Sequence, residues 1–396
     1  MSEISDMIQR LCPDGVEYRK LGEVCKMQRG TSLTKKASNE GIYPVISGGR
    51  EPAFYCDTFN REGETITVAG SGAGAGYLQF WNEPIFVCDA FSIKGTSLLD
   101  NKYLFYCLTN MQEAIYATKK GGGVPHVHIS SIEDFEIPVP PLEIQRKIVE
   151  VLDNFSELTA ELTAELTARQ KQYEYYRDNL LNFNRGGQVA SDVTWMKLGD
   201  VLHSIRTGLN PRKFFSLNTP DATNYYVTIR EIKGGVLSFS EQTDRINNDA
   251  LELCNNRSNL SVGDVLFSGT GTIGETYVIE ETPYNWNIKE GVYSLKPNIE
   301  LVNSFYLKYI LCARYIKDRY LSLAEGGTVK SVSMKQLSNL LIPIPPLSEQ
   351  ERIVSILDRF EALTTDLTSG LPAEIKARQQ QYEYYRDQLL TFKRAN

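Results

Sequence analysis

The chain has 396 residues, enough for two or three domains, and its 42% apolar and 23% charged residues are typical of a globular protein. Its net charge of −7 argues against tight DNA binding by counterion release alone. The acidic first residues lack the pattern of a secretory signal, and no apolar run approaches the roughly 18 residues of a membrane span. We therefore expect a cytoplasmic protein that spans no membrane.

The seven cysteines lie at scattered positions, and none forms a C-x-x-C pair. An odd number without paired spacing fits neither a disulfide framework nor a zinc site. We expect reduced cysteines and no bound metal.

The first predicted domain covers residues 18–140, after an N-terminal segment of residues 1–17. It is rich in glycine, aromatic and β-branched residues, with short alternating runs such as residues 65–69. Runs of this kind between turn residues are typical of strands. We predict a strand-and-turn domain with few helices.

Residues 141–185 are predicted to form a long central helix. Glycine disappears after Pro141, and apolar residues recur every three or four positions from Ile148 to Leu180. Such a stripe over about 40 residues indicates one amphipathic helix of roughly 60 Å. Its middle, residues 157–168, repeats Glu-Leu-Thr-Ala three times. A four-residue insertion in a heptad pattern keeps a helix continuous while its seam rotates.

A second domain and a second helix follow a linker of residues 186–194. The domain covers residues 195–345 and has the same strand-and-turn character as the first. Residues 346–396 are predicted to form the C-terminal helix. Within it, Gly370 can end one helix and Pro372 can start another, so we expect a break or kink there.

The two halves of the chain are copies of one unit. Residues 168–183 and 377–392 are identical at 13 of 16 positions. Three shorter matches occur in the same order: residues 20–24 with 197–201, 137–142 with 342–347, and 148–153 with 353–358. A period of about 200 residues is far too long for a solenoid. The chain therefore has a pseudo-two-fold internal repeat.

Two ways of burying the long apolar stripes remain open. The helices of two chains can form a homodimeric coiled coil, or the two helices of one chain can pair with each other. Duplication makes their seams compatible, which favours the second arrangement. The predicted fold is α+β: two β-rich α/β domains separated by two long antiparallel coiled-coil helices.

The residues around the helices resemble those of type I restriction-modification specificity subunits. The resemblance lies in Ile-Pro-x-Pro-Pro-Leu-x-x-Gln before each helix, in Gly-Leu-Pro-Ala-Glu-Ile at residues 370–375, and in the doubled Gln-Tyr-Glu-Tyr-Tyr-Arg-Asp. It covers about residues 18–392. The first helix departs from this pattern, because it carries the Glu-Leu-Thr-Ala repeat in place of Gly-Leu-Pro-Ala-Glu-Ile.

The resemblance implies a protein that recognises DNA without modifying it. Each domain would be a target recognition domain for one part of a split double-stranded DNA target. The helices would set the spacer and bind two methyltransferase subunits, and restriction subunits with translocase activity would complete the complex. We expect no cofactor on this chain and S-adenosylmethionine on the methyltransferase partner.

The two domains differ in length, which favours an asymmetric target. Gly22 and Gly121 are 99 positions apart, whereas Gly199 and Gly326 are 127 apart. Neither domain is basic: residues 18–140 carry 12 basic and 13 acidic side chains, and residues 195–342 carry 16 and 15. Local basic loops must therefore read the bases, and a more basic partner must supply much of the affinity.

The candidate DNA-binding residues have side chains that pair with bases or phosphates, and they cluster after each Lys-Leu-Gly and beside the late glycines. In the first domain they are Arg29, Thr31, Lys35, Lys36, Lys119, Lys120 and His126. In the second they are Arg206, Asn210, Arg212, Lys213, Arg230, Lys330 and Lys335. For any one of them taken alone, a solvated surface residue is the favoured interpretation, whereas the clusters together are expected to include DNA contacts. His126 and His128 alternate, so we expect them on opposite sides of a strand, without a metal.

The candidate partner-binding residues lie on the two helices. They are Tyr173, Tyr176 and Arg177 on the first, and Tyr382, Tyr385 and Arg386 on the second. The tyrosines are interpreted as residues of the helix seam and of the partner-facing surface.

Two other functions are weighed against this interpretation. A single-chain DNA-processing enzyme would need catalytic motifs, but both Pro-Pro pairs are followed by leucine, unlike the Asn/Asp-Pro-Pro-Tyr/Phe stretch of methyltransferases. Residues 70–76 are glycine-rich, but no Lys-Ser/Thr follows and the next residues resemble a strand, so a tight turn is favoured over a phosphate loop. The other alternative, a coiled-coil scaffold with two β-rich binding domains, does not explain the helix motifs.

Overall fold

The computed structural model describes residues 2–121, 123–185, 188–189, 192–365 and 370–395. It divides into two compact units. Unit 1 consists of Met1–Glu161 and Ile375–Asn396, and unit 2 of Leu162–Glu374. Of the predicted linker, residues 186, 187, 190 and 191 lie outside the described residues.

Unit 1 is built around a four-stranded antiparallel sheet. Its strands follow the order Cys25–Arg29, Ala90–Gly95, Thr65–Ala69 and Leu78–Trp81. All five residues of Thr65–Ala69 are buried, so this strand lies in the core of the unit. A three-stranded sheet (Phe54–Cys56, Tyr43–Ile46, Phe86–Val87) and the pair Tyr18–Lys20 with Glu136–Pro138 complete the strands. The α-helices before the central helix are Ser2–Leu11, Leu21–Val24, Asn101–Asn110 and Gln112–Ala117.

Unit 2 repeats this sheet order with other residues. Its four-stranded sheet runs Leu202–Thr207, Val292–Pro297, Val265–Ser268, Thr276–Val278. The three-stranded sheet is Arg245–Ile246, Asn224–Val227, Trp286–Ile288, and Thr194–Lys197 pairs with Leu341–Ile344. Two further strand pairs are Ile232–Lys233 with Val236–Leu237 and Asn184–Arg185 with Gln188–Val189. Helices are Pro211–Phe214, Asn248–Ser258, Ser304–Cys312, Arg314–Ser322 and Met334–Ser338. The duplication seen in the sequence is therefore also a duplication of fold.

The central helix is continuous over 39 residues, Leu142–Leu180, which is about 58 Å of helix. The C-terminal part of the chain contains two helices, Leu347–Thr365 and Leu371–Leu389. Gly370 is not helical, and its carbonyl accepts hydrogen bonds from Ala373 and Glu374 in the first turn of the last helix. The expected interruption therefore occurs at Gly370, with Pro372 in the turn that follows.

Helices of the same chain pair with each other inside each unit, as expected. In unit 1, Phe155 stacks on Tyr385 with ring centroids 5.2 Å apart, while Ile148 shares a core with Leu389. In unit 2, Tyr176 stacks on Phe360 at 5.4 Å. In each unit, therefore, two long helical segments of one chain contact each other.

A buried glutamine fixes the start of each long helix to its unit. The amide of Gln145 donates to the carbonyls of Pro140 and Leu98, at 2.7 and 2.8 Å. The amide of Gln350 donates in the same way to Pro345 and Leu301, at 2.8 and 2.9 Å. Both glutamines are fully buried. The orientation of each helix start on its domain is thus set by hydrogen bonds of one pattern.

The two ends of the chain meet in unit 1. The backbone N–H of Val16 donates to the carbonyl of Lys393 at 2.8 Å, and that of Ala395 donates to the carbonyl of Val16 at 2.9 Å. Gly15 has φ +110°, and a Cβ there would lie 2.7 Å from the backbone of Arg394. The last residues are therefore part of the first unit's structure.

The cysteines are present as free thiols. Burial raises the pKa of Cys25 and Cys107 to about 12 and that of Cys254 to about 11, which makes these thiols poor nucleophiles. Within the described ranges, no group of three or more His, Cys, Asp or Glu side chains is arranged to hold a metal ion. In the same part of the chain, no helix is long and apolar enough to cross a membrane.

Candidate nucleic-acid interface

Each unit has a glycine loop closed in the same way. The first glycine loop is residues 120–126, of which residue 122 lies outside the described residues, and the second is residues 325–331. Lys120 and His126 exchange two backbone hydrogen bonds of 2.9 and 2.8 Å. Glu325 and Ser331 exchange two of 2.9 and 2.8 Å. The two loops are therefore equivalent parts of the duplicated fold.

The first glycine of each loop is required by the backbone. Gly121 has φ +115° and Gly326 has φ +119°. A Cβ at these positions would lie 2.6 Å from the carbonyl oxygen of Val124 and 2.4 Å from that of Val329. A side chain would be strained and would push the loop open.

Equivalent hydrogen bonds attach the loops to the turns that follow the strands Thr65–Ala69 and Val265–Ser268. Gly72 donates to Pro125 at 3.0 Å, and Gly271 donates to Lys330 at 3.0 Å. Residues 70–76 therefore form a turn that supports the first loop and leads into the strand Leu78–Trp81, as the sequence predicts. This accounts for the glycines without a phosphate site.

A cleft of about 200 Å³ lies at the foot of the first loop. It is lined by Arg29, Gly30, Gly70, Cys88, Asp89, Ala90, Phe91, His126, Val127, His128 and Ile129. The structure therefore brings together two predicted DNA-binding residues from different clusters, Arg29 and His126. Asp89 also lines the cleft and accepts a hydrogen bond from Ser71. The cleft thus offers both a cation and hydrogen-bond acceptors.

His126 and His128 face the same side, so the expectation of opposite faces is wrong. The rings of His126 and His128 stack with centroids 5.9 Å apart and an interplanar angle of 4°. The reason is that no regular strand continues here: His126 forms an isolated bridge, and a 3₁₀ turn starts at Ile129.

A second cleft, of about 490 Å³, lies beside the second loop. It is lined by Thr228, Ile229, Arg230, Asp244, Thr270, Gly271, Lys289, Glu290, Gly291, Val292 and Val329. Arg230 is exposed, and its guanidinium donates to Asp244 at 2.7 Å. This ion pair holds the arginine in the cleft. Because it is exposed to solvent, it contributes little to stability.

Asn210 has partners inside the protein. Its side-chain oxygen accepts from the N–H of Arg212 at 3.1 Å and caps the helix Pro211–Phe214, and its amide donates to Glu290 at 2.9 Å. To pair with a base, the side chain would have to leave these partners. Its role in base reading stays a prediction.

The other predicted DNA-binding side chains lie at or near the surface. Lys119 is half-buried, with its ammonium group 4.1 Å from the ring centroid of Tyr116. The exposed ones are Thr31, Lys35, Lys36, Lys120, Arg206, Arg212, Lys213, Lys330 and Lys335. Their contact with DNA stays a prediction.

Sequence reasoning missed three residues of this region: Lys289, Val124 and Val329. Lys289 lines the second cleft directly after the buried strand Trp286–Ile288. The two valines occupy the same position in their loops and are largely exposed. Aligning the late glycines of the two halves would have paired them, but nothing in the sequence says that they face solvent.

The predicted partner-binding residues also have contacts inside their own units. Tyr173 and Tyr382 pack against the two cores. Arg177 and Arg386 pair with the aspartates that follow them and lie over the rings of these tyrosines, 5.7 Å from each centroid. Whether they also contact a partner stays a prediction.

Two tyrosines of the repeated helical stretch, Tyr175 and Tyr384, point outward and are 66% and 61% exposed. Each rests edge-on against the next tyrosine, with ring centroids 5.6 and 5.4 Å apart. The two halves therefore present the same aromatic surface. We refer to Tyr175 and Tyr384 as the outward tyrosines.

Comparison with known proteins finds one family along most of the chain. The family described as "Type I restriction modification DNA specificity domain" matches residues 13–169 and 190–377. A putative type I restriction enzyme specificity subunit of Haemophilus influenzae is 31% identical, over 95% of this chain and 96% of the relative. The specificity subunit of the type I restriction enzyme EcoR124I/EcoR124II of Escherichia coli is 28% identical, over 99% and 98%.

Solved structures share the fold. The S subunit of a type I restriction-modification system from M. genitalium has a TM-score of 0.59 at 19% identity, covering 95% of each chain. A chain from a study of complex assembly and conformational transition in the type I restriction-modification system also has a TM-score of 0.59, at 18% identity, over 95% of this chain and 97% of that one.

Proposed function

Because this chain belongs to the family of type I restriction-modification DNA specificity proteins, we propose that it is the DNA-recognition subunit of such a complex. Each unit reads one half of an asymmetric, interrupted target in double-stranded DNA. Residues 18–140 and 195–345 are the two target recognition domains. The protein works in the cytoplasm, where the DNA is.

The observation that carries this proposal is that each of the two equivalent glycine loops borders a cleft, and that the two clefts have different linings. The loops that border them have one backbone design, with Gly121 and Gly326 in the same conformation. The first cleft contains Arg29 and the second contains Arg230, contributed by different elements. Two domains that recognise different bases need different polar side chains on a common scaffold.

The chain itself is proposed to be non-catalytic. Methyl transfer and cleavage would be performed by methyltransferase and restriction subunits, with S-adenosylmethionine bound to the methyltransferase. The role left to this chain is to place the DNA relative to those subunits.

Two methyltransferase subunits are proposed to dock on the repeated helical stretches. Tyr175 and Tyr384 are not needed for the cores of their units, since most of each ring is exposed, yet they recur with the same neighbours. Aromatic side chains of this kind are frequent anchors of protein interfaces. Two copies of one surface fit two copies of one partner.

A binding titration tests the proposal. Because basic and acidic side chains nearly balance in each domain, 12 against 13 in residues 18–140 and 16 against 15 in residues 195–342, the chain alone should bind a duplex weakly at physiological salt. Adding the methyltransferase should tighten binding and make it sequence-specific. Equal affinity for DNA with and without the partner would contradict the proposal that the methyltransferase subunits supply much of the affinity. A complex that binds all sequences equally would contradict DNA recognition by this chain.

A further inference from the structure

Val124 and Val329 hold the same position in the two glycine loops, and they are 54% and 59% exposed. Each lies three residues after the glycine with positive φ. The carbonyl of the residue that follows each valine accepts a hydrogen bond, from Gly72 in the first domain and from Gly271 in the second. Both domains therefore present a branched apolar side chain to water at the same place.

The loops hold these valines in a defined position. The closing pairs at the foot of each loop, Lys120 with His126 and Glu325 with Ser331, fix its two ends. The bond from Gly271 to Lys330 fixes the backbone next to Val329, and the bond from Gly72 to Pro125 does the same beside Val124. A side chain on such a loop needs little ordering when it binds a ligand.

Each valine lies on a loop that borders a cleft containing an arginine. Val329 lines the same cleft as Arg230 and Lys289. In unit 1, His126 closes the loop of Val124 and lines the cleft that contains Arg29. An exposed apolar side chain beside positively charged groups suits a ligand, such as DNA, in which phosphates lie close to an apolar group.

In the major groove, the apolar feature on the base edges is the C5-methyl group of thymine. Valine is short and branched, so it matches a methyl group better than it matches a gap between stacked bases, where larger wedges are usual. We propose that Val124 and Val329 each contact a thymine methyl group in the half-target read by their own domain. This proposal rests on the proposed function.

The test uses the complex of the full chain with its methyltransferase subunits and duplexes that carry the methylated target. Each thymine of the two half-targets is replaced in turn by uracil, which removes only the methyl group. With the wild-type protein, one replacement in each half should weaken binding about fourfold, the factor expected for one buried methyl group. Val124→Ala should abolish this sensitivity in the first half alone, and Val329→Ala in the second half alone.

Val262→Ala is the matched control. Val262 is 55% exposed in the second domain and precedes the strand Val265–Ser268, whereas Thr270 of the cleft follows that strand. This variant should keep the uracil sensitivity of the wild type.

Three results would overturn the proposal: a half-target without an A·T pair, no uracil effect at any thymine of a half-target, or an effect that survives the matching alanine variant. Each of these still includes sequence-specific binding, so the proposed function would stand. A complex that shows no sequence preference for any duplex would overturn both proposals.

Discussion

The side-chain oxygen of Gln145 accepts a hydrogen bond of 2.8 Å from the backbone N–H of Asp100, the residue that caps the helix Asn101–Asn110. Gln350 accepts one of the same length from Asn303, which caps Ser304–Cys312. Each glutamine thus joins a long helix to a helix of its recognition domain. The same buried amide contact therefore helps to hold each domain on its helix.

Gln145→Ala should loosen the helix Asn101–Asn110. The substitution leaves the N–H of Asp100 and two carbonyls without their partner, at a cost of about 2 kcal/mol or more. Backbone amides of that helix should exchange hydrogen about 30-fold faster, while those of Ser304–Cys312 should be unchanged. Gln380→Ala, at an exposed glutamine of unit 1, is the control. Equal exchange in the variant and the wild type would show that the amide is dispensable.

Gly326→Ala should impair reading of one half-target. An alanine at φ +119° costs about 1–3 kcal/mol and displaces Val329. Methylation of the second half should become less specific, with the first half unchanged, and Gly121→Ala should have the opposite effect. Gly327→Ala and Gly123→Ala are matched controls, because a Cβ there meets no atom within 4 Å. If the complex with the Gly326→Ala variant methylated the wild-type target normally, this loop would not take part in DNA recognition.

Tyr175→Ala and Tyr384→Ala should each remove one methyltransferase subunit from the complex. Losing an aromatic anchor costs about 2 kcal/mol or more at an interface centre, roughly a 30-fold weaker affinity. Native mass spectrometry should show one bound subunit for each single variant and none for the double variant at concentrations that saturate the wild type. Tyr55→Ala and Tyr284→Ala, at tyrosines exposed elsewhere, should keep two. Full occupancy in the double variant would place the docking surface elsewhere.

Deleting one Glu-Leu-Thr-Ala unit, residues 161–164, should shorten the preferred spacer. The central helix is continuous through this stretch, so the deletion removes about 6 Å of helix and turns the rest by about 40°. At about 3.4 Å per base pair, the spacer should shorten by one to two base pairs, with both half-targets unchanged. Replacing the four residues by alanines keeps the length and should keep the spacer. An unchanged spacer after deletion would mean that this helix does not set the distance.

Much of this architecture could be predicted because it rests on local patterns. The apolar spacing from Ile148 to Leu180 specifies a helix, and Gly370 with Pro372 specifies an interruption. The late glycines mark the two loops, since only glycine takes the backbone conformation of Gly121 and Gly326. The internal repeat made pairing of helices within one chain the favoured arrangement.

Other parts depend on contacts distant in sequence and could not be predicted. Nothing near Arg29 indicates that it shares a cleft with His126, because the sheet order brings them together. Helical spacing places Tyr173 and Tyr176 on the buried side, so the outward position of Tyr175 emerged only from the structure. The prediction for His126 and His128 failed because alternation implies opposite faces only in a regular strand.

Methylation sequencing of a host that expresses this chain with its methyltransferase partner tests the central claim most directly. We expect one asymmetric, interrupted motif that disappears when the chain is omitted. Exchanging residues 195–345 for those of another family member should change one half of that motif and leave the other half intact, because base contacts are local to each domain. A change in both halves, or methylation that does not depend on this chain, would contradict the account.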